Sequence, residues 1–265
     1  MIERRGLVIG LFACAAAGGV ARAAERSVWL DELTSVELRD RIAQGATTVL
    51  VPVGGTEQNG AHLALGKHNV RVRVLAGRIA EQLGQTIVAP VMAYVPEGEV
   101  DPPTQHMRYA GTLSVPMAAF ESVLEGAARS LHRHGFAHVV LLGDHGGYQS
   151  SLHRVAARLN RAWGSASSVI ALREYYTAAQ AFDDTLAAHG YTPREIGRHA
   201  GLSDTALAWA VDASLVRPQA LQAIDGVSGD PRRASAELGR EGVEHIVAAS
   251  VAAIRARIAG AQTKH

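Results

Sequence analysis

The sequence predicts an α/β protein of three layers, with a mostly parallel central sheet covered by helices on both faces. Short β-branched runs alternate with longer amphipathic stretches. The strand-like runs are continuously apolar, as strands buried on both faces are. With 48% hydrophobic and 19% charged residues, 265 residues are enough to bury a sizeable core.

The elements follow in chain order. Thr47 to Val53 is a buried strand that runs into Gly54-Gly55. From Asn69 to Leu83, Val70, Val74, Leu75, Ile79 and Leu83 recur near helical spacing, and Gly84 stops the helix. Thr86 to Val91 is a second strand, and Glu97 to Gly111 a loop broken by Pro and Gly. Met117 to His134 is a helix with Phe120, Val123, Leu124, Ala127 and Leu131 on one face. His138 to Leu142 is a third strand, closed by Gly143-Asp144-His145-Gly146-Gly147. A helix over Gln149 to Trp163 and a fourth strand over Ser168 to Leu172 follow, then helices at roughly 175–189, 200–213 and 233–258. No composition shift and no internal repeat divides residues 24–265, which read as one domain.

Residues 1–23 read differently. Arg4 and Arg5 precede an apolar stretch from Gly6 to Val20, and Ala21-Arg22-Ala23 is an A-x-A cleavage pattern. This is the order of a secretory signal peptide, with the Arg pair leaving both the Sec and the twin-arginine route open. Cleavage near Ala23 implies export, to the periplasm, with no stable membrane span after processing. It also removes Cys14, the only cysteine, so no thiol is left to bind metal.

Charge excludes one class of partner. Lys and Arg total 26 against 25 Asp and Glu, which argues against a nucleic-acid binder acting through bulk charge. Histidine is the unusual residue, at 12. Any metal must be held by His and carboxylates.

In sheets of this kind, sites form at the carboxyl ends of strands. Three polar clusters fall there or at a helix start. The first, after the first strand, contains Glu57, Asn59, His62 and His68, which could share a pocket or lie in a surface loop. The second is Asp144-His145-Gly146-Gly147, and the third is His199-Ala200-Gly201-Leu202-Ser203-Asp204-Thr205. Asp204 reads as a ligand or as a carboxylate stabilising a helix N-terminus.

Together with Tyr109-Ala110-Gly111-Thr112 and Arg133-His134-Gly135-Phe136, these segments resemble the creatininase (creatinine amidohydrolase) family over most of the chain. The resemblance implies a creatininase-like α/β/α fold, a likeness to homo-oligomers, a two-metal site of zinc, manganese or iron, and hydrolysis of C–N bonds in small amides, cyclic amides or formamides. It implies that Glu57 and His145 are metal ligands. Three family positions differ: the His after the first Glu is Asn59, the bridging Asp falls on His68, and the late Glu on Asp204. A carboxylate can bridge two cations; a neutral imidazole offers one lone pair to one. One divalent ion per chain is therefore expected, held by Glu57, His68 and His145 with Asp204 as fourth ligand or as base. Catalytic roles fall on Asp204, Glu57 and His145. Asn59, His62, Asp144, His106 and His199 are expected behind the ligands or against substrate. The expected activity is metal-assisted hydrolysis of a small molecule other than creatinine. The alternatives are a periplasmic metal- or ligand-binding protein without catalysis, and a single-metal lactonase or isomerase.

Overall fold

A computed structural model describes residues 27–164 and 167–262. The predicted signal peptide, 1–23, lies outside the described residues. Among those described, no helix is long and apolar enough to cross a membrane.

Four strands form one sheet: β1 (Thr48–Val53), β2 (Thr86–Val88), β3 (His138–Gly143) and β4 (Ser168–Ala171). Their order is β2-β1-β3-β4, and every pair is parallel. The register places Leu50 beside Val88 and Val140, and Val140 beside Ile170. Alternate residues therefore feed opposite faces. Leu50, Val88, Val140 and Ile170 enter one core, and Val49, Ile87, Val139 and Val169 the other.

The helices are α1 (Ser35–Ala43), α2 (Lys67–Leu83), α3 (Met117–Arg133), α4 (Gln149–Trp163), α5 (Arg173–Ala188), the single turn α6 (Pro193–Ile196), α7 (Leu202–Val211) and α8 (Ala236–Gln262). Helices α2, α5, α7 and α8 cover the first face, and α3 and α4 the second. In α2 the buried stripe is Val72, Leu75, Ala76, Ile79 and Ala80, the spacing that presents one helical face. This is the expected three-layer α/β/α architecture.

Apart from shifts of a few residues at helix ends, one strand end and one helix differ from the sequence reading. Strand β2 ends at Val88, ahead of Pro90, whose ring removes a ladder donor. The extended chain nonetheless continues along β1, with Met92 N–H donating to Pro52 O at 2.9 Å. Helix α1 was not expected. It is held by a capping box, in which Thr34 accepts from Glu37 N–H and Glu37 accepts from Thr34 N–H.

Candidate metal centre

The site lies at the carboxyl ends of β1 and β3, where α2 and α7 begin. Two buried groups fix the approach of these elements. Tyr148 Oη accepts from the Asp144 and His145 N–H groups at 3.1 and 3.0 Å and reaches Val53 O at 2.7 Å, tying the two strand ends together. Gly54 leaves room for α2, since a Cβ there would lie 2.9 Å from the Asn69 Cα.

Glu57, fully buried, stands at the centre. Its Oε1 is 2.8 Å from His68 Nε2, and its Oε2 is 3.5 Å from His145 Nε2. One ligand atom from each of Glu57, His68 and His145 lies within 4.8 Å of the others. A second set, Glu57, His106 and His199, meets the same condition and shares Glu57.

The surroundings distinguish the two sets. His68 Nδ1–H donates to Asp144 Oδ2 at 2.6 Å, which turns Nε2 toward Glu57. His145 Nδ1 is 3.6 Å from Glu97 Oε1, a buried oxygen without a hydrogen bond among the described residues. His68 thus has a hydrogen-bonded carboxylate behind the nitrogen remote from Glu57, the arrangement that orients metal-binding histidines, whereas His145 Nδ1 accepts from the Gly147 N–H at 3.3 Å. Glu57 Oε2 is likewise buried and unbonded. In the second set, the Gln58 amide donates to His106 Nδ1 at 3.1 Å. That leaves the His106 proton on Nε2, the nitrogen facing Glu57 Oε2 at 3.3 Å. The first set, more deeply buried and with His68 oriented by Asp144, is the better fit for a divalent ion.

The remaining predicted residues are placed as follows. Asn59 donates to the Glu57 and Ala64 carbonyls at 2.9 and 3.1 Å and folds the loop that carries Glu57. His62 Nε2 faces Ala200 O and Thr205 Oγ1, linking that loop to the start of α7. His199 Nε2–H donates to Gln58 O at 2.8 Å, leaving Nδ1 3.6 Å from Glu57 Oε1. Asp204 pairs with Lys67 and with Arg71, the latter at 2.7 Å, and accepts from Ala200 N–H at 3.0 Å. It belongs to neither ligand set among the described residues.

Sequence reasoning missed Lys67, Arg71 and Glu97. Lys67 is fully buried, its Nζ 3.4 Å from Glu57 Oε1 and bonded to Asp204. Arg71 Nε donates to Asp144 at 2.9 Å. The signal was available: Lys67, His68 and Arg71 share the first turn of an otherwise apolar helix face.

These contacts set the charges. Burial acts to raise the Glu57 carboxyl, but Lys67 and His68 hold it well below the carboxylate range. Burial also opposes ionisation of Asp204, and Lys67 and Arg71 override it. Burial works against a charged His68, while hydrogen bonds to Asp144 and Glu57 raise it overall. Burial pushes His145 down to about 3 and His199 to about 4, so both are neutral with a lone pair to offer. Burial, then the neighbouring Glu57, pushes Glu97 up to about 8. Above these groups opens a cavity of about 570 Å³, walled by Tyr176, Asp183 and Arg198.

The profile of the family described as creatinine amidohydrolase matches residues 31–254. The mycofactocin precursor peptide peptidase of Mycolicibacterium smegmatis is 36% identical over 116 residues, 42% of this chain and 44% of that protein. The creatinine amidohydrolase of Pseudomonas putida is 29% identical over 127 residues, 48% of this chain and 47% of that protein. The aligned stretches thus cover less than half the length of these relatives. Among solved structures, a creatinine amidohydrolase (creatininase) superposes with a TM-score of 0.70 at 25% identity, covering 86% of this chain and 97% of that one. A manganese creatininase superposes with a TM-score of 0.72 at 25% identity, covering 88% and 99%. With its profile match running through the sheet, the helices and the site alike, the chain belongs to the creatininase family.

Proposed function

We propose that the protein is a metal-dependent hydrolase of a C–N bond in a small molecule, with one divalent ion held by Glu57, His68 and His145. The observation that carries this is the pair of imidazoles facing one buried carboxylate, with Asp144 orienting His68 from behind. A zinc, manganese or ferrous ion suits this mixed donor set. When bound there, the ion supplies a Lewis acid for the substrate carbonyl and for water.

The protein's own groups divide the remaining work. Asp204 fits the proton-accepting role poorly, because Lys67, Arg71 and the Ala200 N–H occupy its oxygens. It anchors the two cations instead. His199 fits that role better: it lines the cavity, is neutral, and presents the free lone pair of Nδ1. A proton taken there is paired with Glu57 Oε1, 3.6 Å away. The Gly147 N–H, which donates to His145 Nδ1, holds that ring from behind, with Glu97 beside it.

The reading includes export through residues 1–23, one working domain over 24–265, and a homo-oligomer as in the family. A non-catalytic binding protein is the second reading, favoured by the way Lys67 and His68 already occupy Glu57 Oε1. A lactonase or isomerase would share the site and differ in substrate.

The test is turnover of a panel of cyclic amides, formamides and lactones by protein loaded with zinc, manganese or iron. Amide or formamide turnover that is lost in Glu57→Gln is the expected result. Metal-loaded protein that is inert across the panel would favour the binding reading, and turnover of lactones alone the lactonase.

A further inference from the structure

We propose that Lys67 is a built-in cation that takes the place of a second divalent ion between Glu57 and Asp204. The inference rests on the reading above, that Glu57, His68 and His145 hold one ion.

Six side chains form a closed ring. Glu57 contacts Lys67 at 3.4 Å, Lys67 bonds Asp204, and Asp204 accepts from Arg71 at 2.7 Å. Arg71 donates to Asp144 at 2.9 Å, Asp144 accepts from His68 at 2.6 Å, and His68 returns to Glu57 at 2.8 Å. Acids and bases alternate all the way round. Lys67 has no solvent contact and no partner other than these two carboxylates among the described residues, so its positive charge serves them alone.

Charge then limits what else the ring can hold. With His68 neutral as a ligand, three carboxylates face two fixed cations, which leaves one negative charge. One divalent ion turns that into a single positive charge. A second would raise it to three in a site shielded from water, where repulsion is weakly screened. With His68 taken up as a neutral ligand, the ammonium fills the place among the described residues where Glu57 and a further ring carboxylate, Asp204, face one cation. A lysine there is also permanent: it cannot be chelated or exchanged. The substrate would then meet one exchangeable Lewis acid, with the fixed ammonium buried beneath the cavity floor.

Removing the ammonium while keeping the bulk of its stem should open that place. The experiment counts zinc and manganese bound per chain, and titrates their affinities, in the wild type, Lys67→Met and Lys67→Arg. The wild type and Lys67→Arg are expected to bind one ion. Lys67→Met is expected to bind the first ion roughly tenfold or more tightly, because a neighbouring positive charge has gone, and to take a second. Two ions on the wild type would overturn the inference while leaving the Glu57–His68–His145 reading standing. So would a folded Lys67→Met that binds one ion with unchanged or weaker affinity. A wild type that binds none would overturn both. If Lys67→Met does not fold, Lys67→Gln is counted by the same criteria, and the wild-type count decides by itself.

Discussion

Asp144→Asn perturbs the site without replacing a direct ligand. The carboxylate is buried and accepts at both oxygens: from His68 Nδ1 at 2.6 Å and Arg71 Nε at 2.9 Å on Oδ2, and from Tyr175 Oη at 2.6 Å on Oδ1. Burial alone would favour its neutral form, and Arg71 and His68 keep it ionised. The amide has nearly the same shape but no charge. Its NH₂ must also face one of three donors. Removing one partner of a buried ion pair costs about 3–5 kcal/mol. Losing the carboxylate behind a ligand imidazole costs roughly 10–100-fold in metal affinity, or about 1.4–2.7 kcal/mol. Urea unfolding of the metal-free protein reads the first quantity, and competition with a chromophoric chelator reads the second. An Asp144→Asn protein with wild-type affinity would refute the role given to Asp144 behind His68. Wild-type stability would refute the ion pair with Arg71.

Two further outcomes follow from the packing and the charges. In metal-free protein, Glu97 keeps its proton up to about pH 8, whereas the unfolded chain releases it near its ordinary value. The stability this group contributes is complete below about pH 4.5 and is lost as pH rises toward 8. Urea midpoints of Glu97→Gln minus wild type should therefore rise across that window; a flat difference would remove the perturbed carboxyl. Gly239→Ala places a Cβ 1.9 Å from Ala206 O, where α8 crosses α7, and should cost about 1–3 kcal/mol or more. Gly126→Ala, exposed in α3 with nothing within 4 Å, should instead stabilise by roughly 0.5–1 kcal/mol in the same thermal melts.

The sheet was legible because Val49–Val51 and Val139–Leu142 are uninterrupted apolar runs, and a strand buried on both faces leaves that mark. Helix α1 was not, because it buries no residue fully and so carries no strong periodicity; its Thr34–Glu37 cap was the legible part. In the site, Glu57, His68 and His145 were legible through the creatininase-like motifs that carry them. Lys67 and Arg71 were not, because charged residues usually face water and only their partners explain their burial. Those partners are remote in sequence: Asp204 lies 137 residues from Lys67, and Asp144 73 residues from Arg71. Asn59 and His62 show the converse. Their motif placed them behind the ligands or against substrate, and three-dimensional contacts give them work in folding the loop that presents Glu57.

In the proposed site one buried carboxylate and two imidazoles hold a single ion. Anomalous diffraction from crystals of the full chain loaded with zinc or manganese tests it most directly. The account predicts one peak, within bonding distance of a Glu57 oxygen, His68 Nε2 and His145 Nε2. A peak between Glu57, His106 and His199, or two peaks sharing Glu57, would contradict it.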